Sequence, residues 1–197
     1  LLSIKLKVVN LDFLGIDLRK VREKTNRPIC SICGVLKRYL INKFSRKFKA
    51  TKIATGHNMD DFIIFFFKNI LSQNFSWISK FKPKLESTHP KLVCKIRPLF
   101  FISEKEIENE CKKLGIPFLR EVCPFIGSEF KFLKKRSKWY KTIDYIEKNH
   151  KNFKIQLAKS IVKLSEIIPF EKEIKECKIC GEPTSNEICS FCKIFRT

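Results

Sequence analysis

The chain is poor in methionine, tryptophan, tyrosine and glycine: its 197 residues include one Met (Met59), two Trp, three Tyr and six Gly. Glycine is scarcest at the start, where Gly15 is the only one before Gly34. That excludes a glycine-rich phosphate loop there, since such loops need several glycines to bring backbone N–H groups onto a phosphate. Long apolar runs are also missing. The longest, Phe62 to Phe67, falls far short of the about 20 residues a helix needs to cross a bilayer. No signal sequence precedes it, so a soluble, non-membrane protein is expected. Acids are few: 20 Asp and Glu against 41 Lys and Arg give a formal net charge of +21. Such an excess points to a polyanionic partner, RNA first. A lysine-rich composition from an AT-rich genome, which the 19 Phe also fit, is the competing source of the charge. The chain begins at Leu1 with no initiator, so further sequence is expected upstream.

What the chain does have is cysteine. Nine Cys include three C-x-x-C pairs, Cys30/Cys33, Cys177/Cys180 and Cys189/Cys192, and three singles, Cys94, Cys111 and Cys123. Closely paired cysteines in a long basic chain read as metal ligands in a reducing compartment, not as a secreted disulfide scaffold.

The apolar pattern predicts a strand within Lys5 to Asp12 and a short helix from Leu18 to Lys24. A helix opened by Cys33 and Gly34 should run to about Phe48. A strand at Lys52 to Thr55 then leads through a polar loop into Phe62 to Leu71, read as a buried helix with a strand as the alternative. Residues 72–92 read as a loop and Val93 to Leu99 as a strand. Ser103 and Glu106 form a capping box for a helix that Gly115 ends. A strand from Ile116 to Val122 should deliver Cys123, and two long helices follow, Ser128 to about Lys148 and Phe153 to Ile167. This alternation indicates an α/β sheet, whose ligand sites gather at strand C-termini and helix N-termini.

In the tail, Cys177, Cys180, Cys189 and Cys192 suit one tetrahedral Zn²⁺, a closed structural site that folds a segment too small for its own core. A pair of disulfides is the alternative. Cys30 and Cys33 lie at a helix start, where backbone amides favour thiolate, and Lys37 follows one turn later. Cys123 is the best third ligand, and three thiolates suit an iron–sulfur cluster with one open iron. Two buried thiols or a metal-free redox dithiol also fit the first pair. Cys94 and Cys111 are expected in the core. Thr55 to Asp61 places a glycine and two acids after a strand, which suits a nucleotide with Mg²⁺ or an ordinary turn capped by Asn58. The three histidines, His57, His89 and His150, show no ligand spacing. Lys131, Lys134, Lys135, Arg136, Lys138 and Lys141 form a basic helix for RNA phosphates, while Phe130, Leu133, Tyr140 and Ile143 are expected to pack.

The motif order is Pro28-Ile29-Cys30-Ser31-Ile32-Cys33-Gly34 with Lys37-Arg38-Tyr39, then Ala54-Thr55-Gly56-His57-Asn58-Met59-Asp60-Asp61. Arg97-Pro98-Leu99 and Glu121-Val122-Cys123-Pro124-Phe125 follow, and Cys177 to Cys192 enclose Gly181-Glu182-Pro183-Thr184-Ser185. From about Thr25 to Cys192 this resembles the tRNA 2-thiouridine synthetase family, most closely its uridine-54 branch, with the anticodon uridine-34 thiolases as a second branch. The resemblance implies a PP-loop ATP-pyrophosphatase fold in which ATP with Mg²⁺ adenylates the uracil oxygen and a 4Fe–4S cluster carries sulfur. It further implies that Cys30, Cys33 and Cys123 hold the cluster, that Lys37, Gly56 and Asp61 line the ATP site, and that Lys37 and Asp61 are needed for activity. The sulfur donor would be the thiocarboxylate of a ubiquitin-like carrier. The family's Ser-Gly-Gly-x-Asp-Ser phosphate loop and N-terminal zinc knuckles are missing, so the chain is expected to be a fragment or split part, inactive alone.

The expected division is a partial PP-loop domain of parallel sheet and flanking helices over 1–125, a basic helical extension over 126–172 and a zinc ribbon over 173–197. The expected partner is tRNA in the cytoplasm, with a homodimer and a separate N-terminal polypeptide left open. The rival function is a non-catalytic RNA-binding zinc protein.

Overall fold

A computed structural model describes residues 4–118, 130–169 and 173–196, except for the side chains of 130–137. The chain forms two compact units, Leu1–Lys49 with Ile174–Thr197, and Ala50–Glu173.

In the first unit, Asp17 caps helix α1 (Leu18–Thr25) by accepting the Arg19 N–H at 2.8 Å, and Asn26 ends it in the left-handed region. Helix α2 (Ile29–Lys47) starts at once after Pro28. Its onset corrects the expectation that Cys33 and Gly34 open the helix, because both C-x-x-C thiols already lie within its first turns. Proline lacks only an N–H that a helix start leaves unpaired anyway, and no breaker follows before Gly34. The strand expected within Lys5 to Asp12 does not form. Residues 4–10 are irregular and a 3₁₀ turn spans Asp12–Leu14. No described strand pairs with this segment, and extended backbone without a ladder has nothing to hold it.

The tail adds an antiparallel pair, β4 (Lys175–Glu176) with β5 (Pro183–Thr184), and a short helix, α7 (Ser190–Phe195). Leu36, Cys177, Cys189, Phe191 and Cys192 form this unit's core, with Leu11, Ile16, Leu18, Val35, Tyr39, Leu40 and Phe195 around it.

The second unit has a three-stranded sheet in the order β1-β3-β2: β1 (Lys52–Ala54) runs parallel to β3 (Cys94–Ile96), and β2 (Lys84–Leu85) antiparallel to it. The expected all-parallel sheet is therefore mixed. The short connection over 86–93 cannot make a crossover, whereas helix α3 (Met59–Leu71) lies between the parallel strands. Strand β2 and a 3₁₀ turn, Phe75–Lys80, occupy part of the stretch expected to be a plain loop.

Helix α4 (Glu104–Lys113) has the expected capping box. It closes at Gly115, φ 64°, with Ile116 N–H bonded to Cys111 O at 2.9 Å and Gly115 N–H to Lys112 O at 3.3 Å. Cys94 is buried as expected, but Cys111 is only half-buried, since α4 buries none of its residues. Residues 116–118 are not in a strand, and the rest of the expected strand, with Cys123, lies outside the described residues.

Helices α5 (Phe130–Asn149) and α6 (Phe153–Ile167) complete the unit. Its core joins Met59, Phe62, Ile63 and Ile64 of α3 to Ile78, Phe81, Phe100, Ile143 of α5, and Ala158 and Ile161 of α6. Stretch 126–172, read from sequence as an extension, thus contributes side chains to this unit's own core.

Candidate metal centres and the strand-to-helix turn

Two tight turns build the tail site. After β4 the chain folds back so that Gly181 N–H reaches Cys177 O at 2.8 Å and Cys177 N–H reaches Glu182 O at 2.9 Å. Gly181 takes φ 67°, where a side chain would be strained. Cys189 then caps α7, its sulfur accepting the Cys192 N–H at 3.4 Å. All four sulfurs fall within 4.8 Å of one another, and Cys180 Sγ lies 3.7 Å from Cys189 Sγ. Tetrahedral Zn–S bonds of about 2.3 Å set sulfurs about 3.8 Å apart, so this donor set fits zinc. The four tail cysteines are free thiols, which removes the disulfide alternative there.

The four thiols are not equivalent. Burial pushes the Cys177 thiol up, but N–H groups of Cys189, Ile179 and Cys180 donating to its sulfur outweigh this and bring it down to about 6. Burial and the sulfurs of Cys180 and Cys189 push Cys192 well up, and burial raises Cys189. Four thiolates cannot crowd together without a cation, and a bound metal would displace the remaining protons.

Cys30 and Cys33 lie one turn apart on α2, the first exposed and the second half-buried, with Lys37 exposed one turn further on. Two thiols at i and i+3 share a helix face, beside N–H groups that have no partner within the helix. That arrangement fits two ligands of a cluster. The third expected ligand, Cys123, lies outside the described residues.

The turn after β1 gives its two acids different roles. Asn58 caps α3, accepting the Asp61 N–H at 3.0 Å while the Asp61 carboxylate accepts the Asn58 N–H at 3.4 Å. The capped-turn reading of this segment therefore holds, with one Asp61 oxygen taken up in the box. Gly56 is exposed, and a Cβ there would meet nothing within 4 Å, so packing does not demand a glycine.

Asp60, 1% exposed, is structural. It accepts the Glu104 N–H at 2.7 Å and sits 2.7 Å from Lys154 Nζ, which also lies 2.5 Å from Asp144. Burial pulls Lys154 down, but Asp144 and Asp60 outweigh it and leave it raised. Sequence reasoning missed this ion pair, because nothing local marks Lys154 among the chain's many lysines. The Arg97-Pro98-Leu99 motif is also structural at its arginine. Arg97 donates to the carbonyls of Lys80, at 2.7 Å, and Lys82, and its guanidinium covers the Phe62 ring at 4.7 Å. Burial lowers it to about 10.

On the surface, Phe75 and Trp77 are 50% and 55% exposed, with Lys80 Nζ 4.7 Å from the Trp77 ring centre. On α5, Lys138 and Lys141 are exposed, Ile143 is buried and Tyr140 half-buried. Trp139 stacks on Phe67 at 5.6 Å. The expected packing of Phe130 and Leu133 falls on undescribed side chains. Among the described residues, no helix is long and apolar enough to cross a membrane.

No family model matches the chain. It is 34% identical to a tRNA-5-methyluridine(54) 2-sulfurtransferase of Pyrococcus horikoshii over 99% of this chain and 62% of that one. A relative of the same description from Thermotoga maritima is also 34% identical, over 98% of this chain and 63% of that one. The chain thus spans about three fifths of the length of these relatives. A solved structure, the U34-tRNA thiolase NcsA from Methanococcus maripaludis with its 4Fe–4S cluster, superposes with a TM-score of 0.67 and 33% identity. The match covers 86% of this chain and 53% of that one.

Proposed function

The chain belongs to the tRNA thiolation family, in its uridine-54 branch, and from that premise we propose that it carries the sulfur-handling part of an ATP-dependent tRNA 2-sulfurtransferase. The observation that carries this reading is the start of α2, whose first two turns present Cys30 and Cys33 with Lys37 close behind. Cys30, Cys33 and Cys123 are the proposed ligands of a 4Fe–4S cluster. Held by these three cysteines, such a cluster would supply an open iron able to carry sulfur. ATP with Mg²⁺ supplies the adenylyl group that makes the uracil oxygen a leaving group.

The chain's own residues do the rest. The start of α2 sets Cys30 and Cys33 on one helix face. Lys37 offers positive charge to a phosphate, Gly56 leaves room for close approach of a nucleotide, and Asp61 holds a carboxylate at the start of α3. The 197 residues include no Ser-Gly-Gly-x-Asp-Ser phosphate loop, so this chain alone is expected to adenylate nothing. Zinc in the tail is structural, since four thiolates leave no open position. Transfer RNA is the proposed substrate, a ubiquitin-like carrier the proposed sulfur donor, and the cytoplasm the setting that keeps the thiols reduced.

Anaerobic purification followed by iron, sulfide and zinc analysis tests the reading. About four iron and one zinc per chain are expected. Cys123→Ala should lose the iron and keep the zinc. The second reading, an RNA-binding zinc protein without catalysis, draws on the tail site, the one described group of metal-binding side chains brought fully together. Zinc without iron, and RNA affinity unchanged in Cys123→Ala, would decide for it.

A further inference from the structure

We infer that the four-cysteine centre of the tail holds helix α2 in place, so that metal bound by Cys177, Cys180, Cys189 and Cys192 positions the turn that carries Cys30 and Cys33. The inference rests on the zinc reading above and gives that metal a task inside the molecule.

Where the tail meets α2, the buried cluster contains little hydrocarbon. Its five members are Leu36, Phe191 and three of the cysteines, Cys177, Cys189 and Cys192, while Ile29 and Ile32 of α2 and Ile194 of α7 are buried outside that cluster. Helix α2 therefore packs on the metal ligands themselves. Most helical stability in a protein comes from packing of an apolar face, so the order of α2 depends on what covers that face.

Three ties connect α2 to the site. The Tyr39 ring stacks on Phe191, with centres 3.8 Å apart and planes within 7°, and Phe191 stands between Cys189 and Cys192 in sequence. The Tyr39 hydroxyl hydrogen-bonds the Cys180 sulfur. Arg46 Nη2 lies 2.5 Å from Glu182 Oε1, and Glu182 O accepts the Cys177 N–H at 2.9 Å. Leu36, Tyr39 and Arg46 fall three and seven residues apart, on one helix face. The docked face begins one turn beyond Cys33, which leaves Cys30 exposed on the turn before it.

Without metal nothing bridges the four sulfurs, and the surface that holds α2 loses its shape. Linkage makes the effect reciprocal: an ordered α2 raises metal affinity by the factor with which metal orders α2. A hydrogen bond to a ligand's sulfur acts in the same direction, and losing such a bond commonly costs about tenfold or more in affinity.

The test uses the full chain, reduced, with zinc bound, then stripped by a chelator, then restored. Hydrogen exchange is followed at the α2 amides from Leu36 to Lys47, with the amides of α3 and α6 as reference. Stripping should speed α2 exchange roughly tenfold or more and leave the reference unchanged, and zinc should restore it. Tyr39→Phe keeps the stacked ring and loses only the hydroxyl, so it should fold and yield zinc to a competing chelator about tenfold more readily. Unchanged α2 exchange after proven zinc loss overturns the inference while the zinc reading stands. A chain that takes up no zinc overturns both.

Discussion

The two units bury themselves with different materials. Ala50–Glu173 has a core of hydrocarbon, in which Phe62, Phe81 and Phe100 meet Ile63, Ile78, Ile143 and Ile161. The unit of Leu1–Lys49 and Ile174–Thr197 buries a cluster in which three cysteines join Leu36 and Phe191, with Ile29, Ile32 and Ile194 buried outside it. A unit this small buries a modest share of its surface, and a metal held by the tail thiols would add to its stability. Polar groups differ as well. The larger unit spends a buried carboxylate, Asp60, on an ion pair that joins the starts of α3 and α4 to α6, whereas in the smaller the buried Glu182 pairs with Arg46 and buried thiols gather in the tail.

The harshest way to break the comparison is to take a ligand away. Cys192→Ser should abolish zinc uptake and forfeit roughly 10 kcal/mol of metal-linked folding, seen as lost circular dichroism and exchange protection in α2 and α7. Next is a cut in the hydrocarbon core: Phe62→Ala should cost about 3 to 5 kcal/mol by denaturant titration and leave zinc content unchanged. Equal zinc loss in both variants would mean that the two cores are not separate. Lys154→Met leaves the buried Asp60 charge without its partner and should cost about 3 kcal/mol. Adding Asp60→Asn should recover much of that, and a double-mutant cycle with no coupling would remove the ion pair from the account.

Asn58→Ala removes one cap and should cost about 1 kcal/mol, in the larger unit only. The smallest effect is on pH. The side-chain and backbone hydrogen bonds of Ser103 hold the Glu106 carboxyl below its ordinary 4.5. That stabilisation is complete above 4.5 and fades as pH falls through the depressed value. Lys154 is raised above 10.5, so its share is complete below 10.5 and fades only in stronger alkali. Both should show as slopes at opposite ends of the stability–pH curve, and Glu106→Gln should flatten the acid one.

Legibility followed the range of the interactions. Helix α6 and the Ser103/Glu106 box could be read because apolar period and cap residues are local. So could the tail site, since two knuckles of close spacing need only one metal to bring them together. Strand β2 and the turn Phe75–Lys80 could not, because elements of two to six residues carry no period. The reading of Lys5 to Asp12 as a strand failed for the opposite reason: its alternation was real, but no described strand pairs with it. Asp60 and Asp61 looked alike in sequence and separated only when Lys154 arrived from α6.

The order of cysteines, caps and apolar stripes determined by itself which segments become helices and which thiols travel in pairs, because those choices are settled by neighbours one helical turn away. Only the folded chain decided that Tyr39 rests against Phe191 beside the tail sulfurs and that Asp60 disappears under Lys154. Such contacts join residues far apart in sequence, and their energy exists only once desolvation and chain closure have brought the partners within reach.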